Sequence, residues 1–248
     1  MRRCFILLML TLAVLEGKPI QIGQNTEEVL RTVQPLLPRD PVIVEAGGFD
    51  GTDTIKVAQF WPLGSLHTFE PVPELFAVIL NRISGYFGRV RAYPLALADY
   101  NGTSVFYLSV HRASPGSVGG SSSLLEPKEH LIYDRDISFP RTITVQTRKL
   151  DDWAKDNEIP KVDFLWLDMQ GYDLNMVMAS ELAKNARAIY IESLFVEAYK
   201  GQYLYRDIKK WMLDNGFVLM ATDFDEDTIE IDLIVNKRYY GNALFIKR

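Results

Sequence analysis

From Pro41 onward, short apolar runs rich in β-branched residues alternate with longer segments whose apolar positions recur every three or four residues. That alternation is the pattern of βαβ units around a mainly parallel sheet with helices on both faces. It predicts strands at PVIVEA (41–46), SLHTFE (65–70), RVRAYPLAL (89–97), VDFLWLD (162–168) and ARAIYIES (186–193). Helices are expected over 52–59, after a glycine-rich turn, and over 73–84, where Pro73 opens the first turn and Leu75, Val78, Ile79 and Ile83 share a face. A further helix, 203–215, is ended by Gly216. TSVFYLSV and RTITVQT read as strands around a Gly/Ser-rich loop, SPGSVGGSSSLLEPKEH, and a loop of that length is a lid, a substrate-binding element or a disordered insertion. FVLMATD and TIEIDLIVNKR, separated only by FDEDT, are expected to be antiparallel strands, because a parallel return needs a dozen or more residues.

Composition narrows the picture in three ways. With 248 residues and 48% hydrophobic content the chain can build a real core, and we expect one domain over 18–248 with an insertion near 111–140. A net charge of −5 without clustered Lys and Arg argues against a nucleic-acid partner. The single cysteine, Cys4, leaves neither a disulfide framework nor a cysteine metal site. Ahead of the domain, residues 1–17 place two arginines before the apolar run Phe5–Leu15, the layout of a secretory signal or weak anchor, with a buried N-terminal helix or an extended start outside the folded unit as alternatives. Eleven apolar residues are too few to span a bilayer as a helix, so stable membrane insertion is not expected.

In an open α/β sheet, ligands bind beyond the carboxyl ends of the strands. Four such ends here carry acids: EAGGFDG, FEP, ALAD and LDMQGYD. Glu70, nineteen residues after Gly51, is placed to accept hydrogen bonds from both hydroxyls of a ribose, or else to cap the helix that follows. A pyrophosphate turn reads G-x-G-x-x-G, whereas this one reads Glu45-Ala46-Gly47-Gly48-Phe49-Asp50-Gly51. Its spacing differs, and Glu45 and Asp50 bring negative charge where phosphate would sit. Such a turn suits a nucleoside that is cationic or neutral at that point, and S-adenosylmethionine is one.

Those segments resemble the motifs of the FkbM family of S-adenosylmethionine-dependent methyltransferases. EAGGFDGTDT is similar to its D-V-G-A-N-x-G-x-x-T turn, TFEP to its second-strand motif and LDMQGYD to its K-x-D-x-E-G segment, in the right order across roughly 42–235. The resemblance implies a Rossmann-like class I methyltransferase fold, a seven-stranded, mainly parallel sheet whose last strand is antiparallel. It implies that Glu45, Gly47, Gly48, Gly51 and Thr54 shape the pocket for the methionine part, that Glu70 and Pro71 hold the ribose, and that Ala98 and Asp99 meet the adenine. Asp168 would face the transferred methyl. Members methylate oxygen, typically hydroxyls of sugars or polyketide-type products, so a small-molecule or carbohydrate acceptor is implied. The chain departs from the family at Trp166, where a lysine is usual, and at Gln170, where a glutamate is usual.

Methyl transfer to a hydroxyl needs alignment in a dry site and a group to take the proton. Asp168 is the first candidate base, its alternative role being to orient the cofactor or cap a helix. His111 and His130 flank the Gly/Ser loop and could serve instead, whereas His67 lies inside a strand. Asp168 and Glu192 could begin a divalent-ion site, but no metal is included. Tyr199, Tyr203 and Tyr205 either stack on an acceptor or pack a helix on the sheet. Two rivals stay open, an NAD-dependent oxidoreductase and a domain that binds cofactor or sugar without turnover. Because S-adenosylmethionine is made in the cytosol, a cytoplasmic location is expected, with the signal-like start leaving secretion or membrane association open.

Overall fold

The structure, a computed structural model, describes residues 19–23, 25–86 and 88–248; the leader-like segment and Cys4 lie outside them. Strand β1 (Ile20–Gln21) leads into helix α1 (Thr26–Val33), whose start is capped by the Asn25 side chain accepting the Glu27 N–H and whose Val29, Leu30 and Val33 are buried. The expected βαβ units follow: β2 (Val42–Ala46), α2 (Thr52–Phe60), β3 (Ser65–Phe69), α3 (Pro73–Arg82) and β4 (Val90–Tyr93). Successive β2 residues feed opposite cores, with Ile43 beside Phe164 and Trp166 on one face and Val44 beside Leu165 and Phe69 on the other. A strand buried on both faces is therefore read from sequence as a continuous apolar run.

The predicted strand 89–97 is divided. β4 ends at Tyr93, and after Pro94, which has no N–H for a ladder, β5 (Ala96–Leu97) joins a second sheet. That sheet has the order β5-β7-β6, with β6 (Gly102–His111) antiparallel to β7 (Ile137–Arg148) and helix α4 (His130–Tyr133) between them. The Gly/Ser-rich loop folds back on β6, where Ser123 exchanges both backbone hydrogen bonds with Tyr107 and the Gly119 N–H donates to the Ser109 carbonyl.

The chain returns to the main sheet through α5 (Leu150–Asp156), β8 (Phe164–Leu167), α6 (Asp173–Met178), α7 (Glu181–Lys184), β9 (Ala188–Leu194), α8 (Tyr205–Asp214) and β10 (Phe217–Thr222). TIEIDLIV then departs from expectation, forming helix α9 (Ile229–Val235). Its apolar residues alternate, which mimics a strand, but Ile229 and Leu233 lie four apart and pack on two different core clusters, while Ile231, Ile234 and Val235 face solvent. The antiparallel strand is β11 (Tyr240–Lys247), inserted between β10 and β9. The main sheet has the order β1-β10-β11-β9-β8-β2-β3-β4, that is, seven strands as the family resemblance implies, with β11 in place of the expected TIEIDLIV, plus the two-residue β1 at one edge. This order and the lone antiparallel β11 are those of the class I methyltransferase fold.

Candidate active site

The strand order reverses between β2 and β8, and the carboxyl ends of β2, β3 and β8 open into a cavity of about 430 Å³. A crevice at that point is where open α/β sheets place ligands. The glycine turn after β2 forms its floor. Gly47 has φ +92°, and a Cβ there would lie 1.9 Å from the Asp168 carbonyl oxygen; at Gly48 it would lie 2.4 Å from Thr68 Oγ1. Glycine is thus demanded by the sheet itself, before any ligand enters.

Phe49 is the residue the turn motif leaves unexplained, and its environment accounts for it. It sits at φ +47°, uncommon for a bulky side chain, and its N–H donates to Glu70 Oε2 at 2.9 Å. Its ring lies 3.9 Å from where a Gly120 side chain would begin. Phe49 therefore props the Gly/Ser-rich loop over the cavity, whose wall includes Gly119, Gly120, Ser122 and Leu124. The loop is an ordered wall of the cavity, consistent with a lid or a substrate-binding element rather than a disordered insertion.

Glu70 is buried and accepts the Phe49 N–H on one oxygen and the Val72 N–H, at 2.8 Å, on the other. The N–H groups it holds belong to the turn and to Val72 just ahead of α3, not to the helix's own first turn, and each of its oxygens keeps a second lone pair that could accept a hydroxyl. Burial pushes Glu70 up to about 7 against the lowering pull of those two N–H groups. Glu45, buried beneath the turn, accepts the Thr54 hydroxyl at 2.5 Å and is likewise raised to about 7 by burial. Asp50 caps α2 through the Thr52 N–H and pairs with Arg82 at 3.0 Å. Asp53 pairs with Lys56, and both line the cavity with Thr26 of α1, whose hydroxyl donates to Asp53.

Asp168 closes the opposite wall, with Trp166 beside it. Burial raises its carboxyl to about 6, and the Gln170 amide, which donates to Oδ1 at 2.7 Å, pulls the other way. Gln170 Nε2 also donates to Glu192 Oε2 at 2.7 Å, so an amide stands between the two carboxylates considered above as the start of an ion site. Asp173, the first residue of α6, fixes the loop that follows β8 by accepting the Met169 and Gly171 N–H groups.

Other expected residues lie elsewhere. Ala98 and Asp99 are not part of the cavity wall, and Asp99 instead accepts the Tyr172 hydroxyl at 2.6 Å. The chain leaves the main sheet after Tyr93, so ALAD ends a strand of the second sheet; the apolar wall near β5 comes from Ala96, Leu97 and Phe106. His111 is exposed at the far end of β6 and accepts the Ala113 N–H, away from the cavity. His130 is buried among the rings of Phe139, Tyr199 and Tyr239. His67 is a core residue, its Nδ1 3.1 Å from the Tyr93 hydroxyl and its pKa lowered by burial to about 4. Tyr199 and Tyr205 are buried packing residues, with the Tyr205 hydroxyl donating to Glu226.

Over residues 22–219 the chain matches the family model of the methyltransferase FkbM domain. The chain belongs to the FkbM methyltransferase family. It is 33% identical over 183 residues to the 2-O-methyltransferase NoeI of Sinorhizobium fredii (strain NBRC 101917 / NGR234), covering 73% of this chain and 75% of that protein. Solved structures similar to it include fibrillarin of Methanococcus jannaschii, a pre-rRNA processing protein, at 14% identity and TM-score 0.49 over 93% of this chain and 82% of that one. TrmK of M. capricolum, in complex with S-adenosyl-homocysteine, matches at 10% identity and TM-score 0.45 over 89% of this chain and 68% of that one.

As an FkbM methyltransferase the chain uses S-adenosylmethionine, and membership sets the oxidoreductase reading aside. The cavity fits that cofactor in its charges. Glu45, Asp50, Asp53, Glu70 and Asp168 line it against Lys56, a balance suited to a ligand with a sulfonium, an ammonium and one carboxylate. Lys56, Phe106 and the loop glycines escaped the motif reading because they reach the cavity from a helix, from the second sheet and from the loop folded back on it. Among the described residues no helix is long and apolar enough to cross a membrane.

The buried acids give the cofactor-free FkbM protein a specific pH response. Glu45, Glu70 and Asp173 have native values near 7, above their ordinary 4.5 or 3.8, so the native state holds more protons than the unfolded chain in between. Their contribution is fully present below about 4 and is lost as pH rises through 7. Urea unfolding without cofactor is expected to show stability falling between pH 5 and 7, with saturating S-adenosylmethionine flattening the slope. A cofactor-free stability that climbs over that interval would contradict these protonation states.

Proposed function

We propose that this chain is an O-methyltransferase acting on a hydroxyl of a sugar, glycan or secondary metabolite. S-adenosylmethionine supplies a methyl group activated on a sulfonium. The chain's own residues then have three tasks: to hold the nucleoside, to bring the acceptor hydroxyl into line in a dry space, and to take its proton. The observation that carries the reading is Asp168, a carboxylate at a strand end, lining the cavity and tuned by burial to about 6. A base in that range is ionised at neutral pH yet basic enough to draw a proton from a hydroxyl as it reacts. The printed name of the relative NoeI, a 2-O-methyltransferase, supports oxygen as the atom methylated.

Within this reading Glu70 takes the ribose hydroxyls, while Glu45 and Thr54 support the turn of Gly47, Gly48 and Gly51 beneath the methionine part. Pro71, Ala96, Leu97 and Phe106 provide an apolar wall for the adenine in place of Asp99. Trp166 flanks Asp168 on the acceptor side, where an aromatic face can lie against a sugar ring. The reaction belongs where the cofactor is made, in the cytosol.

Calorimetric titration with S-adenosylmethionine, S-adenosylhomocysteine and NAD tests the donor site. Binding of both sulfur compounds with none for NAD is expected; the reverse would end the proposal. Glu70→Ala should weaken both by about 1–3 kcal/mol, roughly fivefold to 150-fold, since it unpairs hydrogen bonds to a charged acceptor. Unchanged affinity would remove Glu70 from the nucleoside site. Methyl transfer from labelled cofactor to a panel of saccharides and phenolic metabolites then identifies the acceptor.

A further inference from the structure

Where FkbM motifs carry glutamate after the β8 aspartate, this chain has Gln170, and every polar atom of its side chain is engaged. One amide hydrogen goes to Asp168 Oδ1 and the other to Glu192 Oε2, each at 2.7 Å, and the carbonyl faces the Tyr199 hydroxyl at 2.7 Å. That hydroxyl has one proton and two acceptors within reach, Gln170 Oε1 and the Ser121 carbonyl at 2.8 Å. The orientation of the amide follows from chemistry, because the opposite flip would set its carbonyl oxygen against the Asp168 carboxylate. The backbone is fixed as well: Gln170 sits at φ +52°, and its carbonyl accepts the Ser123 hydroxyl at 2.8 Å. The residue thus joins the ends of β8 and β9 to the loop that walls the cavity.

We propose that Gln170 is a positioning residue: its amide ties Asp168 and Glu192 into one assembly and aims Asp168 into the methyl-donor cavity. The inference rests on the reading of Asp168 given above. Two buried carboxylates close together cannot both carry charge cheaply. Asp168 is raised only to about 6, whereas Glu192, fully enclosed and facing Asp168, Asp173 and Asp223, is raised well above the ordinary range. Glu192 is accordingly the neutral member at physiological pH and Asp168 the ionised one. Asp53 of α2 also raises Asp168, whose charge in turn raises the acids Glu45 of β2, Glu70 after β3 and Asp173 of α6, and the neutral hydroxyls of Tyr190, Tyr199 and Tyr240 face it as well. These acids make the ionised form harder to hold, and the Gln170 amide favours it. A glutamate at position 170 would add a third acid and could donate at most one hydrogen, and only when protonated.

The test needs no methyl acceptor. S-adenosylmethionine carries a sulfonium charge that S-adenosylhomocysteine lacks, so the ratio of their affinities reports the charge state of Asp168. Comparing variant with wild type at each pH cancels the titration of the compounds themselves. In the wild type the preference for the sulfonium compound should rise with pH through about 6. In Gln170→Ala and in the near-isosteric Gln170→Glu that rise is expected to move up by about one pH unit, a roughly tenfold loss of preference between the two midpoints. The glutamate variant decides the matter if the alanine variant does not fold. A merely structural role would weaken both compounds alike with the midpoint unmoved, and that result overturns the proposal. Asp168→Asn separates the two ideas. If it leaves the wild-type pH dependence intact, Asp168 does not face the donor and the underlying reading fails. If it flattens the dependence while the Gln170 variants remain unshifted, only the role of Gln170 fails.

Discussion

Gly47→Ala is expected to be the most damaging single-methyl change in this protein, lowering stability by roughly 4 kcal/mol or more and abolishing binding of S-adenosylmethionine. The added Cβ would lie 1.9 Å from the Asp168 carbonyl oxygen and 2.9 Å from its carbonyl carbon. Both are backbone atoms, so no rotamer change relieves the clash. The nearby ladder bond from the Asp168 N–H to the Ala46 carbonyl, 2.9 Å, holds β8 against β2 at this point, and the strands would have to part. A φ of +92° adds strain for any residue with a Cβ. Because the turn carries one wall of the cavity and Asp168 the other, stability and binding fall together. Gly85→Ala is the control, since nothing lies within 4 Å of a Cβ there. Urea midpoints and calorimetry measure both effects. A Gly47→Ala protein with wild-type midpoint and affinity would show that the strands around this turn yield more easily than close packing allows.

Asp168→Asn carries the second large effect, on turnover. The substitution keeps the shape and can still present an oxygen to Gln170, but it cannot take a proton. Loss of a positioned base costs about a hundred- to ten-thousandfold in rate. S-adenosylhomocysteine, which is uncharged at sulfur, should bind nearly as before. Single-turnover methyl transfer to an identified acceptor, followed with labelled cofactor, measures the step itself. Wild-type rates in this variant would leave the proton to another group and reduce Asp168 to shaping the cavity.

The motif residues were legible because parallel sheets impose a local rule. In EAGGFDG and FEP the cavity-lining groups follow directly from where an apolar run stops, and Glu45, Gly47, Gly48, Glu70 and Asp168 all line the cavity. The rule failed at ALAD. Pro94 interrupts the apolar run that seemed to continue from Val90, the chain changes sheets, and Asp99 is carried to Tyr172. It failed again at TIEIDLIV, where alternation at period two and a helical pair four apart coexist in eight residues. Only the cores that receive Ile229 and Leu233 decide between them. The two histidines beside the Gly/Ser loop illustrate a third limit, since proximity in sequence to a loop says nothing of which face a strand or helix presents. His111 points to solvent and His130 into an aromatic cluster.

By itself the sequence determined the class of sheet, the strand ends that bear carboxylates, and a turn whose charges suit a sulfonium nucleoside rather than a pyrophosphate. These are properties of contiguous residues, written in hydrophobic period and glycine spacing. Tertiary structure alone decided the pairings across the chain: Phe49 against Gly120, Lys56 and Thr26 at the cavity edge, and Gln170 between Asp168 and Glu192. Each depends on which strands lie side by side and on how far a loop folds back. The free energy that fixes those arrangements comes from apolar surfaces shared by distant segments, and no single stretch of chain records it.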